Sequence, residues 1–378
     1  MSHYKELIAA QGSVYLNTGA AGPMPLRAYE VIRQETEHEF RFGRVEQRGK
    51  KKFFEALEHL RSLLGALLGC DPARVAVTST TSEGVSIVLW GLPLSAGDHV
   101  LTTTFEHLGA TASLSTLCKV RGVEASFYQP EQDEFDVERF FSLVTDRTRL
   151  ILISHVSWTS GRLIPIQDIC ERAHERGIRV LVDGAQSVGA IPVDVVALGA
   201  DFYAFPGQKW LLGPEGVGAL YVSPAGLEAL QQTYAGVFSF AKHDGRVAFV
   251  PKDGSARFEI GTRFRSLLRA WATSLEWLGT EVGWSTVFDQ TEANAKRLHA
   301  LLAEHTGLRP VVAERGSGLT ALELPPHLDA TQFVAALDEK RIFVRTVPGR
   351  NRMRVSTGFF NSESDFQALL EELRAAKP

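Results

Sequence analysis

The stretch 180–222 limits what this chain can fold into more than any other. It reads V-L-V-D-G-A-Q-S and then, from residue 200, A-D-F-Y-A-F-P-G-Q-K-W-L-L-G-P-E-G-V-G-A-L-Y-V. The apolar run 180–182 is short and valine-rich, as a strand buried on both faces should be. It ends in Asp183, with Gly184, Ala185 and Gln186 behind it. That places an acid at the carboxyl end of a strand, where open α/β sheets hold their ligands. A second apolar run, 202–205, leads into Lys209, and a Gly-Pro-Glu-Gly turn then opens a strand over 217–222.

A lysine after one strand and an acid ending another suit pyridoxal phosphate. The amine must be uncharged to condense with the aldehyde, and apolar surroundings lower its pKa. The acid must be ionised to keep the pyridine nitrogen protonated, which makes the ring an electron sink. Taken singly, a strand-end Asp is more often a helix cap and a lone Lys is usually solvated. The pattern D-G-A-Q with G-x-K-x-x-x-G-P-x-G-x-G is far more specific.

Composition sets broad limits. The 378 residues are 44% hydrophobic and 22% charged, enough to build a full core with room for two domains. Net charge is −4, and the one basic cluster (Arg48, Lys50, Lys51, Lys52) lacks interleaved aromatics. It reads as a solvated helix start, not a nucleic-acid surface. No apolar run approaches the ~20 residues of a membrane span, and the first residues lack a secretory layout. Cys70, Cys118 and Cys170 are odd in number and widely spaced, which argues against disulfides and against a metal site. They predict reduced thiols in a cytoplasmic protein.

Along the chain, apolar runs predict strands over 75–78, 100–102, 123–128 and 150–154. Helical spacing covers 29–68, 85–92, 137–143, 166–176 and 264–278. Residues 223–256 read as irregular. From residue 293 the rhythm changes to short strands between helices (293–302, 318–324, 330–340, 342–346, 353–356, 362–373). That pattern predicts a small α+β domain. The expected division is a large domain over 14–256 and a small one over 257–378 with 1–13.

Five phrases carry a family likeness: I-V-L-W-G-L (87–92), F-E-H-L-G (105–109), I-S-H-V-S-W (153–158), V-L-V-D-G-A-Q-S (180–187) and Y-A-F-P-G-Q-K-W (203–210). With them the chain resembles the class V aminotransferase family of fold type I pyridoxal-phosphate enzymes. That family includes cysteine desulfurases, isopenicillin-N-epimerase-like proteins and C-S lyases; cysteine/cystine C-S lyases are the nearest in look. The resemblance implies an α/β large domain with a mostly parallel seven-stranded sheet. It also implies a homodimer with shared active sites and an amino acid substrate, without nucleic acid or membrane partners.

The resemblance assigns roles residue by residue. Lys209 would carry the cofactor, Asp183 would meet its ring nitrogen, His107 would stack on the ring, and Gln186 would bond its phenolic oxygen. Thr81 (backbone), Ser82 (hydroxyl), Gln208 and, from a neighbouring subunit, Thr262 would reach the phosphate. Thr262 is equally readable as a helix N-cap. Many relatives have Ser/Thr-x-His before the lysine where this chain has Pro206 and Gln208, so one phosphate contact is lost. Arg354, in R-M-R-V-S, would grip the substrate carboxylate, with Arg345 as a second candidate. Asn17 and Trp158 would border the substrate; Trp158 stands where many desulfurases carry Asn. Desulfurases also keep a mobile cysteine between the two arginine motifs. Here 346–353 contains none, which turns the expected reaction from persulfide chemistry toward β-elimination. Transamination and epimerisation share its early steps and stay open.

Overall fold

The structure is a computed structural model that describes residues 3–44, 47–312 and 317–376. Strand β1 (Val14–Tyr15) comes first. The central sheet follows: β2 (Val75–Thr78), β3 (His99–Thr103), β4 (Glu124–Tyr128), β5 (Thr148–Ser154), β6 (Arg179–Asp183), β7 (Phe202–Pro206) and β8 (Gly218–Val222). Its order is β2-β8-β7-β6-β5-β3-β4. Pairings from β7 through β6, β5 and β3 to β4 are parallel, and β8 runs antiparallel to both its neighbours. The mostly parallel seven-stranded sheet expected from the sequence is present.

Alternation along these strands feeds two cores. Ile151, Ile153, Val180, Val182, Tyr203 and Phe205 face one side, packed under helices Gln47–Leu68, Ile166–His174 and Arg265–Glu276. Leu150, Leu152, Leu181, Phe202 and Ala204 face the other, under Thr81–Gly91 and Leu108–Arg121. Covering both faces is what allows strands this apolar and parallel. The helix Gln47–Leu68 includes the basic cluster; Lys51 and Lys52 are exposed, while the side chains of Arg48 and Lys50 lie outside the described residues.

Two departures from the sequence reading have clear causes. The helix Leu108–Arg121 was not expected, because its Ser- and Thr-rich sequence buries only Ala110, Leu114 and Leu117. His107 caps it, and Gly122, at φ 71°, ends it in the left-handed conformation. The stretch read as irregular holds the helix Pro224–Ala229 and an antiparallel hairpin of β9 (Phe240–His243) and β10 (Phe249–Pro251). The hairpin is mostly exposed, so no burial alternation marked it.

A smaller sheet completes the chain. Strands β11 (Leu319–Glu323), β14 (Arg352–Ser356) and β13 (Arg345–Val347) are antiparallel in that order. Between them in sequence, β12 (Ile342–Phe343) pairs in parallel with β1. Leu16 is fully buried in the core these strands share with helices Trp284–His305, Ala330–Glu339 and Glu363–Ala375. Among the described residues no helix is long and apolar enough to cross a membrane.

Candidate active site

The carboxyl ends of the central strands bring Asp183 and His107 within electrostatic reach of Lys209, and β13 and β14 bring Arg345 and Arg354 there too. Asp183 closes β6 and is buried. The backbone N–H of Ala185 donates to its Oδ1 at 2.9 Å. Burial raises the Asp183 pKa; the positive charge of Lys209 and the Ala185 bond oppose that rise. Behind it, Tyr203 Oη lies 2.7 Å from His155 Nδ1 and 2.6 Å from Ser187 Oγ. Its ring lies so close to Gly184 that a Cβ there would stand 2.0 Å from Cε1. Only glycine lets the turn after Asp183 pass that ring.

Lys209 leaves β7 on a short turn, where Leu212 adopts φ 52° and donates its N–H to the Lys209 carbonyl. Burial lowers the amine to about 8; Asp183 pulls it back up, while Arg354 and Arg345 add to the lowering. About a tenth of such amines are neutral at pH 7, against less than about one in a thousand for an ordinary lysine. The loop after β1 packs here too. Gly22 N–H donates to the Gln208 carbonyl at 2.7 Å, and a Cβ at Gly22 would meet the Lys209 carbonyl at 2.3 Å.

His107 follows β3, and its Nδ1 accepts from Gly109 N–H at 3.1 Å, which leaves any proton on Nε2. Burial, then Lys209, Arg345 and Arg354, hold it down to about 4. It is therefore a neutral ring near pH 7. It meets the Trp158 ring edge-on, centroids 5.2 Å apart.

Arg354 and Arg345 are register partners on β14 and β13, and both guanidinium groups lie about 6 Å from the Trp158 ring. Arg354 is 1% exposed. Its Nη1 donates to the Trp158 carbonyl at 3.0 Å, while Nε and Nη2 have no partner. No carboxylate pairs with it among the described residues. Burial, with Arg345 beside it, lowers it to about 9, so it stays cationic at neutral pH. A buried guanidinium with two idle donors is a site for an anion from outside the chain.

Other unpartnered polar atoms sit in the segments that meet here: Asn17 Oδ1, Thr18 Oγ1, Trp158 Nε1, Gln208 Oε1 and Ser356 Oγ. Asn17 bridges to Ser356, and a Cβ on Gly19 would stand 2.8 Å from Ser356 Oγ and 3.0 Å from Gln186 Oε1. Gln186 is partly engaged. It accepts from Trp210 Nε1 at 3.0 Å and donates to the Gly19 carbonyl at 2.8 Å, leaving one amide N–H.

The start of the helix Thr81–Gly91 offers donors that suit an anion. Thr80 caps it, accepting from Glu83 N–H at 3.0 Å, so the amides of Thr81 and Ser82 are first-turn donors. Ser82 Oγ reaches the His107 turn: a Cβ on Gly109 would come within 2.4 Å of it. Thr262 is exposed and is not the N-cap of the following helix; Phe264 is, without a side-chain bond. The sequence reading missed Arg263, which donates to Ser79 Oγ at 2.5 Å and to Glu83 at 3.0 Å. It also passed over Ser356 and the buried acid Glu106. Only their place in matching segments could have flagged them.

Comparison with known proteins settles the family. The model for "Aminotransferase class-V" matches residues 14–369. The chain belongs to the class-V aminotransferase family. Isopenicillin N epimerase of Streptomyces clavuligerus is 30% identical, covering 96% of this chain and 94% of that protein. A cysteine desulfurase of Haloferax volcanii is 28% identical, covering 88% and 81%. The solved complex of the cystine C-S lyase C-DES with its product cysteine persulfide is 26% identical; it superposes with a TM-score of 0.94 over 98% of this chain and 100% of that one. This class-V protein is a pyridoxal-phosphate-dependent enzyme with the fold of the C-S lyases.

The pocket fits that cofactor. A buried acid, a depressed lysine, a neutral histidine and a helix start with free amides are gathered together. Gly109 leaves room beside Ser82, and the idle Gln208 amide can turn over to present a donor. Gly109→Ala is expected to push the Ser82 hydroxyl aside and weaken cofactor retention about tenfold, the worth of one charge-assisted bond. Dialysis of the loaded enzyme, followed by visible absorbance, measures this; unchanged retention would place Ser82 outside the phosphate cup.

Proposed function

We propose that this enzyme breaks the Cβ–S bond of a cysteine-type amino acid by β-elimination, with cysteine, cystine or an S-substituted cysteine as substrate. The connection between β13 and β14 carries the reading. Val347 pairs with Arg352, so residues 348–351 form a closed turn with no thiol and no slack. The three cysteines lie elsewhere, and burial raises each of them, Cys70 to about 11 and Cys170 to about 12. A persulfide route needs a thiolate nucleophile, and none is offered.

When bound, pyridoxal phosphate supplies the electron sink for the pair left at Cα. The chain's own groups do the rest. Arg354 grips the α-carboxylate through its two idle donors, and Arg345 adds positive charge beside it. Asp183, ionised, holds the proton on the pyridine nitrogen. His107, uncharged, would pack against the ring without competing for that proton. Lys209, neutral, takes the Cα proton. Trp158 presents an apolar wall toward the sulfur substituent. The Cα–H and Cβ–S bonds break, the thiolate leaves, and hydrolysis of the enamine product gives pyruvate and ammonia.

The likeness to isopenicillin N epimerase favours epimerisation as the second reading, since it needs the same Cα deprotonation. A homodimer is part of the proposal. Phe40, Phe42, Tyr234, Val237 and Val247 are 65–90% exposed, and Thr262 lies free to reach a neighbour. The deciding assay gives loaded enzyme L-cysteine, L-cystine and cysteine sulfoxides, following pyruvate and sulfide. Pyruvate supports elimination. Conversion of the cofactor to its amine form, or loss of optical activity without pyruvate, sinks it.

A further inference from the structure

Glu106 is a buried acid with no part in the reaction above. It stands one residue before His107, in the turn leaving β3. Thr103 Oγ1 donates to its Oε1 at 2.7 Å, and Ser154 Oγ bonds its Oε2 at 2.5 Å. Ser154 ends β5 and is the register partner of Asp183 on β6. Glu106 and Asp183 therefore sit on either side of one strand end, in the interior and within electrostatic reach of each other. Their surroundings differ. Asp183 faces the amine of Lys209, whereas no cation bridges Glu106 among the described residues. Two carboxyls in one low-dielectric site do not readily ionise together, and the one with a countercharge ionises first.

We propose that Glu106 is a positioning residue for the charge on Asp183. While it keeps its own proton, Asp183 is the acid that ionises; once Glu106 gives its proton up, the added negative charge tightens the proton held between Asp183 and the cofactor's pyridine nitrogen. Burial drives Glu106 up to about 7, with the Ser154 and Thr103 bonds opposing and the Asp183 charge adding. Among the groups around it, His107 and His155 are held at about 4 and burial raises Tyr203 far above the range. The imine nitrogen that Lys209 would form with the cofactor also titrates, and Ser154→Ala separates the two, because Ser154 bonds Glu106 and not Lys209. The inference rests on the role given to Asp183 and is independent of the elimination reading.

The test is a pH titration of the visible absorbance of the loaded enzyme, without substrate, from pH 5 to 9. The parent protein is expected to show a step near pH 7. Glu106→Gln keeps the volume, accepts from Thr103 and donates to Ser154; it should lose the step with an unchanged circular dichroism spectrum. Ser154→Ala removes a bond that favours the ionised form and should move the step up by about one pH unit. A Glu106→Gln titration curve identical to the parent's, or a step that fails to rise in Ser154→Ala, overturns the proposal. Should Glu106→Gln not fold, Ser154→Ala decides alone. If Asp183→Ala releases the cofactor while Glu106→Gln titrates like the parent, the Asp183 role survives and the Glu106 role falls.

Discussion

Lys209→Ala is expected to lower turnover by about a thousandfold or more, the scale of losing a positioned base. The visible band of the lysine-bound cofactor should vanish with it. The cause is visible in the pocket. Lys209 is the amine there, and burial with two nearby guanidinium groups lowers it to about 8. The pH profile of the parent should follow the base that substrate sets free: activity rises toward pH 8 as the released amine loses its proton. Added methylamine should restore part of the alanine variant's activity, because the site, not the fold, was emptied. A variant that kept both band and turnover would end the assignment of Lys209.

The second large effect has two opposite signs. Arg354→Met should reduce kcat/KM by about two to three orders of magnitude, from losing charged bonds to the substrate carboxylate worth about 3–4 kcal/mol. The same variant should be more stable than the parent, by about 1–4 kcal/mol. The parent buries an unmatched charge: Arg354 has one bond, to the Trp158 carbonyl, and two idle donors. Replacing a buried ion by an apolar side chain of similar length removes its desolvation penalty. Arg354→Lys should not restore activity, because an ammonium cannot offer the planar two-point grip. Urea unfolding and steady-state kinetics on the same preparations test both halves. Lower stability in Arg354→Met would mean that the guanidinium is structural.

What could be read from the sequence was what depends on local pattern. Apart from the edge strand β4, which is largely exposed, the strands of the central sheet announced themselves by short apolar runs, because both faces of the sheet are covered there. Asp183 and Lys209 could be found because strand ends and Gly-Pro turns mark them. The helix Leu108–Arg121 hid because three small contacts suffice to seat it, and the exposed hairpin hid because it has no inner face. Relations across the chain were illegible. Nothing near Trp158 says that two arginines almost 200 residues later will flank its ring. Glu106 reads as a neighbour of His107 until Ser154 and Asp183 come beside it. Thr262 was readable as a cap, yet the N-cap is Phe264, which makes no side-chain bond.

The pairing of β1 with β12 has a consequence for how the chain acquires its function. Val14 meets Ile342, and Asn17 meets Ser356. Contacts closing a span of roughly 330 residues come late, since the entropy of so large a loop must be offset by structure already formed. During synthesis the first strand leaves the ribosome long before its partner exists. The central sheet can assemble around Asp183 and Lys209 in that interval, but the wall formed by residues 17–22 and the Arg354 strand cannot. The protein should thus pass through a stage able to meet the cofactor and unable to hold a substrate carboxylate. A ribosome-bound chain ending near residue 330 would be that stage, caught in isolation.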